Sequence, residues 1–239
     1  MSEKVVVITG ASRGIGAALV AGFQADGHHI VANSRNLQPA NDTKILSIAG
    51  DVADPEVAEH LVATTLERWG RIDTLINNAG IFIGKPFVDY TVEDYNAVMS
   101  TNVAGFFHIT QRVARQMLKQ GSGHIVNVTT SLVDQPIGAV PTGLAALSKG
   151  GLAAITKSLA TEYATKGIRV NAVSPGIIKT SMNEGADRSF LAKLQPMGRL
   201  GETDEIVEAV RYLDRAAFVT GEIIHVDGGA HAGQWQIAS

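Results

Sequence analysis

Val5-Val6-Val7-Ile8-Thr9-Gly10-Ala11-Ser12-Arg13-Gly14-Ile15-Gly16 decides how this chain reads. Its first four residues are β-branched and apolar without alternation. That is the pattern of a strand buried on both faces of a parallel sheet. Gly10 closes the run, and helical spacing takes over from Ile15 to Ala25. Glycines at such a junction let the backbone turn sharply and approach a pyrophosphate. The helix that follows offers free N–H groups and a partial positive charge. The spacing is G-x3-G-x-G, not the commoner G-x-G-x-x-G, and a glycine-rich turn alone is also what any tight turn looks like. Its place between a strand and a helix makes it a nucleotide-binding candidate.

Outward from this loop, short apolar runs recur at 29–32, 45–48, 74–77, 124–128, 169–173 and 223–226. Segments with helical spacing lie between most of them, at 55–69, 92–119, 144–165 and 204–213. Alternating strands and helices predict a single doubly wound, Rossmann-like α/β sheet, mostly parallel, with helices on both faces. No linker, repeat or break in composition divides residues 1–239, so one domain is expected. Residues 180–201 lack a clear period and read either as a lid or as a loop with short helices.

Composition narrows the classes. The 239 residues are 45% hydrophobic, enough for a sizeable core. The formal charge of -3 argues against a nucleic-acid partner, which would favour a basic face. With no cysteine, disulfides, zinc–thiolate sites and a cysteine nucleophile are excluded, and no metal site is expected. The first eight residues are too short and too charged for a secretory signal. No run approaches the ~18 apolar residues of a membrane span. The expectation is a cytoplasmic protein without a membrane partner.

Several further stretches stand in order behind the glycine loop: Asp51-Val52, Asn77-Asn78-Ala79-Gly80, Asn102, Ser174-Pro175-Gly176-Ile177-Ile178-Lys179-Thr180 and Val226-Asp227-Gly228-Gly229. Together with 9–16 they resemble the short-chain dehydrogenase/reductase family from about residue 4 to residue 230. The resemblance implies cofactor contacts from Gly10, Ser12, Arg13, Gly14, Ile15 and Gly16. It implies further contacts from the adenine-side pair Asp51 and Val52, and from Asn78, Ala79 and Gly80. Pro175, Gly176, Ile178 and Thr180 belong to the segment that closes over the nicotinamide in that family.

The second strand ends in Val31-Ala32-Asn33-Ser34-Arg35. An NAD-preferring protein places a carboxylate there for the ribose 2′-OH. Here Ser34 takes that place and Arg35 follows it. A 2′-phosphate is a dianion that a carboxylate repels and a guanidinium fork holds. Arg13 resembles the family's second basic residue. Either arginine alone reads as an ordinary surface charge; the pair, with no acid between, predicts NADP as cofactor.

The family's Tyr and Lys stand four apart on one helix, where i and i+4 share a face. The ammonium lowers the phenol's pKa so that Tyr works as an acid or base near neutral pH. This chain reads Gly143-Leu144-Ala145-Ala146-Leu147-Ser148-Lys149. Lys149 matches the family's Lys, which also holds the nicotinamide ribose, but Ala145 occupies the Tyr position. Tyr90, Tyr95, Tyr163 and Tyr212 read as packing or surface residues, and His108 as pointing to another helix face than Asn102. The active-site hydroxyl falls to Thr130 counted from the strand, or to Ser131 counted back from Ala145.

The expected function is an NADP-dependent oxidoreductase acting on a small carbonyl, alcohol or imine-like substrate, with Asn102, Thr130, Ser131 and Lys149 as the catalytic set. The alternative is a non-catalytic or regulatory NADP(H)-binding protein that has lost the tyrosine. A homo-oligomer, tetramer or dimer, is implied by the resemblance. The Gly and Ala content of the 144–165 helix permits close helix contact.

Overall fold

The computed structural model describes residues 3–233. Seven strands form one sheet: β1 (Val5–Thr9), β2 (His29–Ser34), β3 (Ile45–Ala49), β4 (Thr74–Asn77), β5 (Gly123–Val128), β6 (Ile168–Pro175) and β7 (Ile223–Val226). Their spatial order is β3-β2-β1-β4-β5-β6-β7, and every adjacent pair is parallel. All seven fall on the apolar runs read from the sequence.

The unalternated β1 run is explained by two cores. Val5 and Val7 point into one, and Val6 and Ile8 into the other. The first core takes in α2 (Pro55–Trp69), α4 (Gly105–Gln120) and α5 (Gly143–Tyr163) through residues such as Leu61, Ile109, Val113 and Ala160. The second takes in α1 (Gly14–Ala25) and α7 (Thr203–Arg215) through Leu19, Phe23, Ile206 and Val210. Helix ends follow local chemistry. Asp54 accepts from Glu56 N–H at 2.8 Å ahead of Pro55, and Gly70 ends α2 at φ 72°. No helix among the described residues is long and apolar enough to cross a membrane.

Two segments differ from the sequence reading. The single helix expected at 92–119 is α3 (Val92–Met99), a π-helical turn (Ser100–Ala104) and α4 in succession. The turn is held from outside: Ile81 N–H donates to Asn102 Oδ1 at 2.8 Å, and Asn102 Nδ2 donates to Ile81 O at 3.1 Å and Ser148 Oγ at 3.1 Å. Such bulges within helices concentrate at functional sites. The unperiodic 180–201 segment contains a short 3-10 turn (Ser181–Asn183) and α6 (Arg188–Lys193).

A buried polar chain fixes the middle of the sheet to the helices above it. Asn77 Nδ2 donates to Thr110 Oγ1 and to Asn127 Oδ1, each at 2.9 Å. Asn127 Nδ2 donates in turn to Thr156 Oγ1 at 2.9 Å, and that hydroxyl donates to Leu152 O at 2.7 Å. The helix carrying Lys149 is thereby tied to β5.

Candidate active site

A cleft of about 530 Å³ opens at the C-terminal ends of the strands. It straddles β1 and β4, where the strand order reverses direction. This is the position at which doubly wound sheets bind their ligands.

Its floor is the glycine loop. Gly10 and Gly14 have φ of 66° and 55°, the left-handed region that glycine enters without a side-chain penalty. A Cβ on Gly10 would lie 2.8 Å from Ala79 Cα, and one on Gly16 would collide with the Gly10 carbonyl. The loop is pinned from β4. Thr9 Oγ1 accepts from the N–H groups of Asn78 (3.1 Å) and Ala79 (3.0 Å), while Asn78 Nδ2 donates to Thr9 O at 2.9 Å. Arg13 stands at the N-cap of α1, and no side chain caps that end. The first-turn N–H groups are thus left for an anion. Across the cleft, Thr180 covers the loop, its methyl 3.2 Å from where a Gly14 Cβ would be.

Ser34 and Arg35 after β2, and Asp51 and Val52 after β3, line the adjoining end. Arg13 and Arg35 are exposed and neither is in an ion pair among the described residues. Asn33 Nδ2 braces this corner by donating to Ile48 O (3.0 Å) and Gly50 O (3.3 Å). A glycine cradle, an uncapped helix end and two unpaired guanidiniums make a fitting bed for a phosphorylated dinucleotide.

Opposite the cradle, Lys149 reaches from α5. Its Nζ donates to Val128 O at 2.7 Å and would lie 3.1 Å from a Cβ on Gly80, so that glycine leaves room for the ammonium. Loss of water around the ammonium brings its pKa down to about 8. Ala145, one turn earlier, also lines the cleft and is 5% exposed.

The structure separates the two candidate hydroxyls. Thr130 lines the cleft, part-buried, and caps the turn 131–133 by accepting from Leu132 N–H at 3.4 Å. Ser131 is buried and does not line the cleft. Asn102 is buried as well, 1% exposed, with its amide consumed by Ile81 and Ser148. Its side chain braces the wall instead of facing the cleft. The other residues read as cofactor contacts all line the cleft: Gly10, Ser12, Gly14, Ile15, Gly16, Asn78, Ala79, Gly80, Pro175, Gly176 and Ile178.

No tyrosine and no histidine is among the lining residues. Tyr90 gives its hydroxyl to Ile83 O at 2.8 Å and packs edge-on to Phe87. Tyr163 packs against the α2–α4–α5 core, and Tyr95 and Tyr212 are exposed. Sequence reading missed the outer wall, formed by Phe82, Leu132, Ile137, Val140, Met182 and Leu191. No motif marks these positions; they meet only because the segments that follow β4, β5 and β6 converge.

Fold and cleft together define a doubly wound, Rossmann-like protein with its ligand site at the switch point of the sheet. Comparison with known proteins carries this to a family. The family described as "Enoyl-(Acyl carrier protein) reductase" matches residues 10–231. The chain is 34% identical over 242 residues to a 3-oxoacyl-[acyl-carrier-protein] reductase of Synechocystis sp., covering 96% of this chain and 97% of that protein. Among solved structures it is similar to ElxO with NADP bound, with TM-score 0.90, 28% identity, and coverage of 97% of this chain and 100% of that one. It is also similar to a 3-ketoacyl-(acyl-carrier-protein) reductase from Brucella melitensis complexed with NADH. There the TM-score is 0.89 and the identity 28%, covering 95% of this chain and 98% of the other. The chain belongs to the short-chain dehydrogenase/reductase family.

Proposed function

We propose that this protein is an NADP(H)-dependent oxidoreductase that reduces, or in reverse forms, a small carbonyl or imine-like group on an apolar body. One observation carries the reading: the glycine cradle, the two unpaired arginines and the Lys149–Thr130 pair all line a single cleft. NADP-bound ElxO and the acyl-carrier-protein reductases among its relatives support it. When bound, NADPH would supply the hydride.

The chain's own residues divide the remaining work. Arg13 and Arg35 hold the 2′-phosphate, with Ser34 where a carboxylate would repel it. The uncapped end of α1 and the 10–16 backbone take the pyrophosphate. Asp51 and Val52 flank the adenine, and Asn78, Ala79 and Gly80 form the wall between the two halves. Lys149 holds the nicotinamide ribose, and Thr130 orients the substrate oxygen. Pro175, Gly176, Ile178 and Thr180 close over the nicotinamide, and residues 180–201 form a lid. Asn102 serves by holding Ile81 and α5 in place. The outer wall carries no ionisable side chain. A charged substituent there would lose its water without a partner, so an uncharged, apolar substrate body fits.

Single-turnover oxidation of bound NADPH across apolar ketones, imines and enones tests the reading. Oxidation with at least one class is expected. A protein that binds NADPH yet oxidises it with none would instead be a non-catalytic NADP(H)-binding protein. The lack of any tyrosine or histidine on the cleft wall favours that second reading. We further propose a cytoplasmic, single-domain protein that assembles as a dimer or tetramer. A monomer in light scattering at micromolar concentration would refute the assembly.

A further inference from the structure

We propose that Lys149 itself gives the proton to the substrate oxygen, and takes it back in the reverse direction, in place of the phenol that Ala145 does not supply. The inference rests on the oxidoreductase reading above.

The ionisable side chains lining the cleft are Arg13, Arg35, Asp51 and Lys149. The first three follow β1, β2 and β3, at the end read as the adenosine side. Lys149 alone stands beside the end of β5, where Thr130 is. Arginine does not give up its proton in water, and Asp51 sits in the wrong half. Thr130 can relay a proton but does not supply one at neutral pH.

Lys149 is also placed to donate. Its ammonium has three N–H groups, and among the described residues only Val128 O takes one, at 2.7 Å. That carbonyl ends β5 two residues before Thr130, so Lys149 and Thr130 line the same end of the cleft. Ala145 presents only a methyl group one turn before Lys149, on the same helix face. A substrate oxygen is not screened there by a ring. The lowered pKa, about 8, agrees: the group is mostly protonated at neutral pH yet gives up its proton far more readily than an ordinary lysine.

The cofactor's hydride pair becomes the new C–H bond, and the C=O π pair moves onto oxygen. That oxygen takes a proton from Lys149 Nζ and becomes a hydroxyl. The carbonyl carbon is reduced, the cofactor is oxidised to NADP⁺, and Lys149 is left a neutral amine that regains its proton from water.

The test compares wild type, Lys149→Arg and the double variant Ala145→Tyr/Lys149→Arg. Arginine keeps the charge and donors at this position but does not release a proton. Without cofactor, nitrogen-15 NMR of the lysine Nζ groups, assigned by the signal lost in Lys149→Arg, should show Lys149 titrating well below ordinary lysines. With NADPH and an activated ketone, wild-type turnover should fall as pH rises through that titration. Lys149→Arg should still bind NADPH within several-fold, lose roughly 10²–10⁴-fold in turnover, and show no alkaline fall near pH 8. The double variant should recover part of the loss. A Lys149→Arg protein with wild-type rate and pH profile overturns the proposal, as does an ordinary lysine titration. Wild type that binds NADPH but oxidises it with no substrate overturns the oxidoreductase reading and the proposal with it. Activity in wild type combined with an indifferent Lys149→Arg overturns the proposal alone.

Discussion

Ala145 and Lys149 stand one helical turn apart on α5 and face the same cleft, so the methyl of one borders the space into which the ammonium of the other projects. A tyrosine ring at 145 would enter that space. Ala145→Tyr is expected to raise turnover of simple ketones above a weak wild-type level. A positioned acid typically contributes 10²–10⁴-fold, so ~3–5 kcal/mol is the upper bound. Because Ala145 is 5% exposed, the ring must displace neighbours at ~1–3 kcal/mol in stability, and the gain should fall short of that bound. NADPH oxidation with an activated ketone, alongside NADPH binding by both proteins, measures it. A folded and NADPH-binding variant with no gain would contradict the expectation.

Cofactor choice should follow the arginines. Arg35→Ala is expected to weaken NADPH binding by roughly 1.5–3 kcal/mol, the value of a hydrogen bond to a charged group. NADH, which has no 2′-phosphate, should bind the variant and wild type alike. Fluorescence titration of both cofactors into both proteins is the measurement, and equal wild-type affinities for the two would sink the NADP assignment.

Thr156 tests the buried polar chain. Thr156→Val keeps the shape but leaves Asn127 Nδ2 without the acceptor it meets at 2.9 Å. A buried unsatisfied donor costs ~1–3 kcal/mol, which should appear as a lower urea midpoint. Thr156→Ser retains the hydroxyl and should recover most of the hydrogen-bond loss.

Acid sensitivity should come in part from His124. Asn171 Oδ1 accepts from Glu222 N–H at 3.0 Å, which turns Nδ2 toward His124 Nε2 at 3.1 Å. That ring nitrogen must therefore accept, and the proton resides on Nδ1, which faces Asp214 Oδ1 at 3.4 Å. Burial pushes the pKa of His124 from 6.5 down to about 4. As pH falls between these values the unfolded chain takes up a proton that the folded chain refuses, so stability falls. Burial alone would raise the Asp214 carboxyl. Bonds from His124, Lys4 and Thr74 overcome this and hold it well below the usual range, so it stays charged throughout the window. Urea unfolding at pH 7.5 and pH 4.5 should show a smaller difference for His124→Gln than for wild type, by up to roughly 3 kcal/mol. Equal differences would refute the assignment.

The strands and the cradle were legible because burial on both faces leaves unbroken apolar runs and because only glycine fits at Gly10 and Gly16. The break at Asn102 was not. Residues 92–119 keep helical spacing throughout, and what converts one turn is a grip from Ile81 and Ser148, distant in sequence. Which of Thr130 and Ser131 lines the cleft depends on the side of a strand end from which each side chain leaves, and neighbouring residues of like chemistry do not announce that. The apolar outer wall was hidden for a third reason: Phe82 and Ile137 come from loops, and Leu191 from the short helix α6, none of them marked by periodicity or motif.

The Asn77–Asn127 bond has a consequence for how the chain can misassemble. The two residues are direct partners in the β4–β5 ladder. Apolar strands offer little to distinguish one alignment from the next, since valine beside isoleucine is nearly as good as isoleucine beside valine. A slip of one position would turn one asparagine to the opposite face and strand its amide in hydrocarbon, without Thr110 or Thr156 to meet it. The pair therefore acts as a key cut for one lock: it penalises a one-residue slip at the centre of the sheet, on the strand that leads to Thr130 and the cleft.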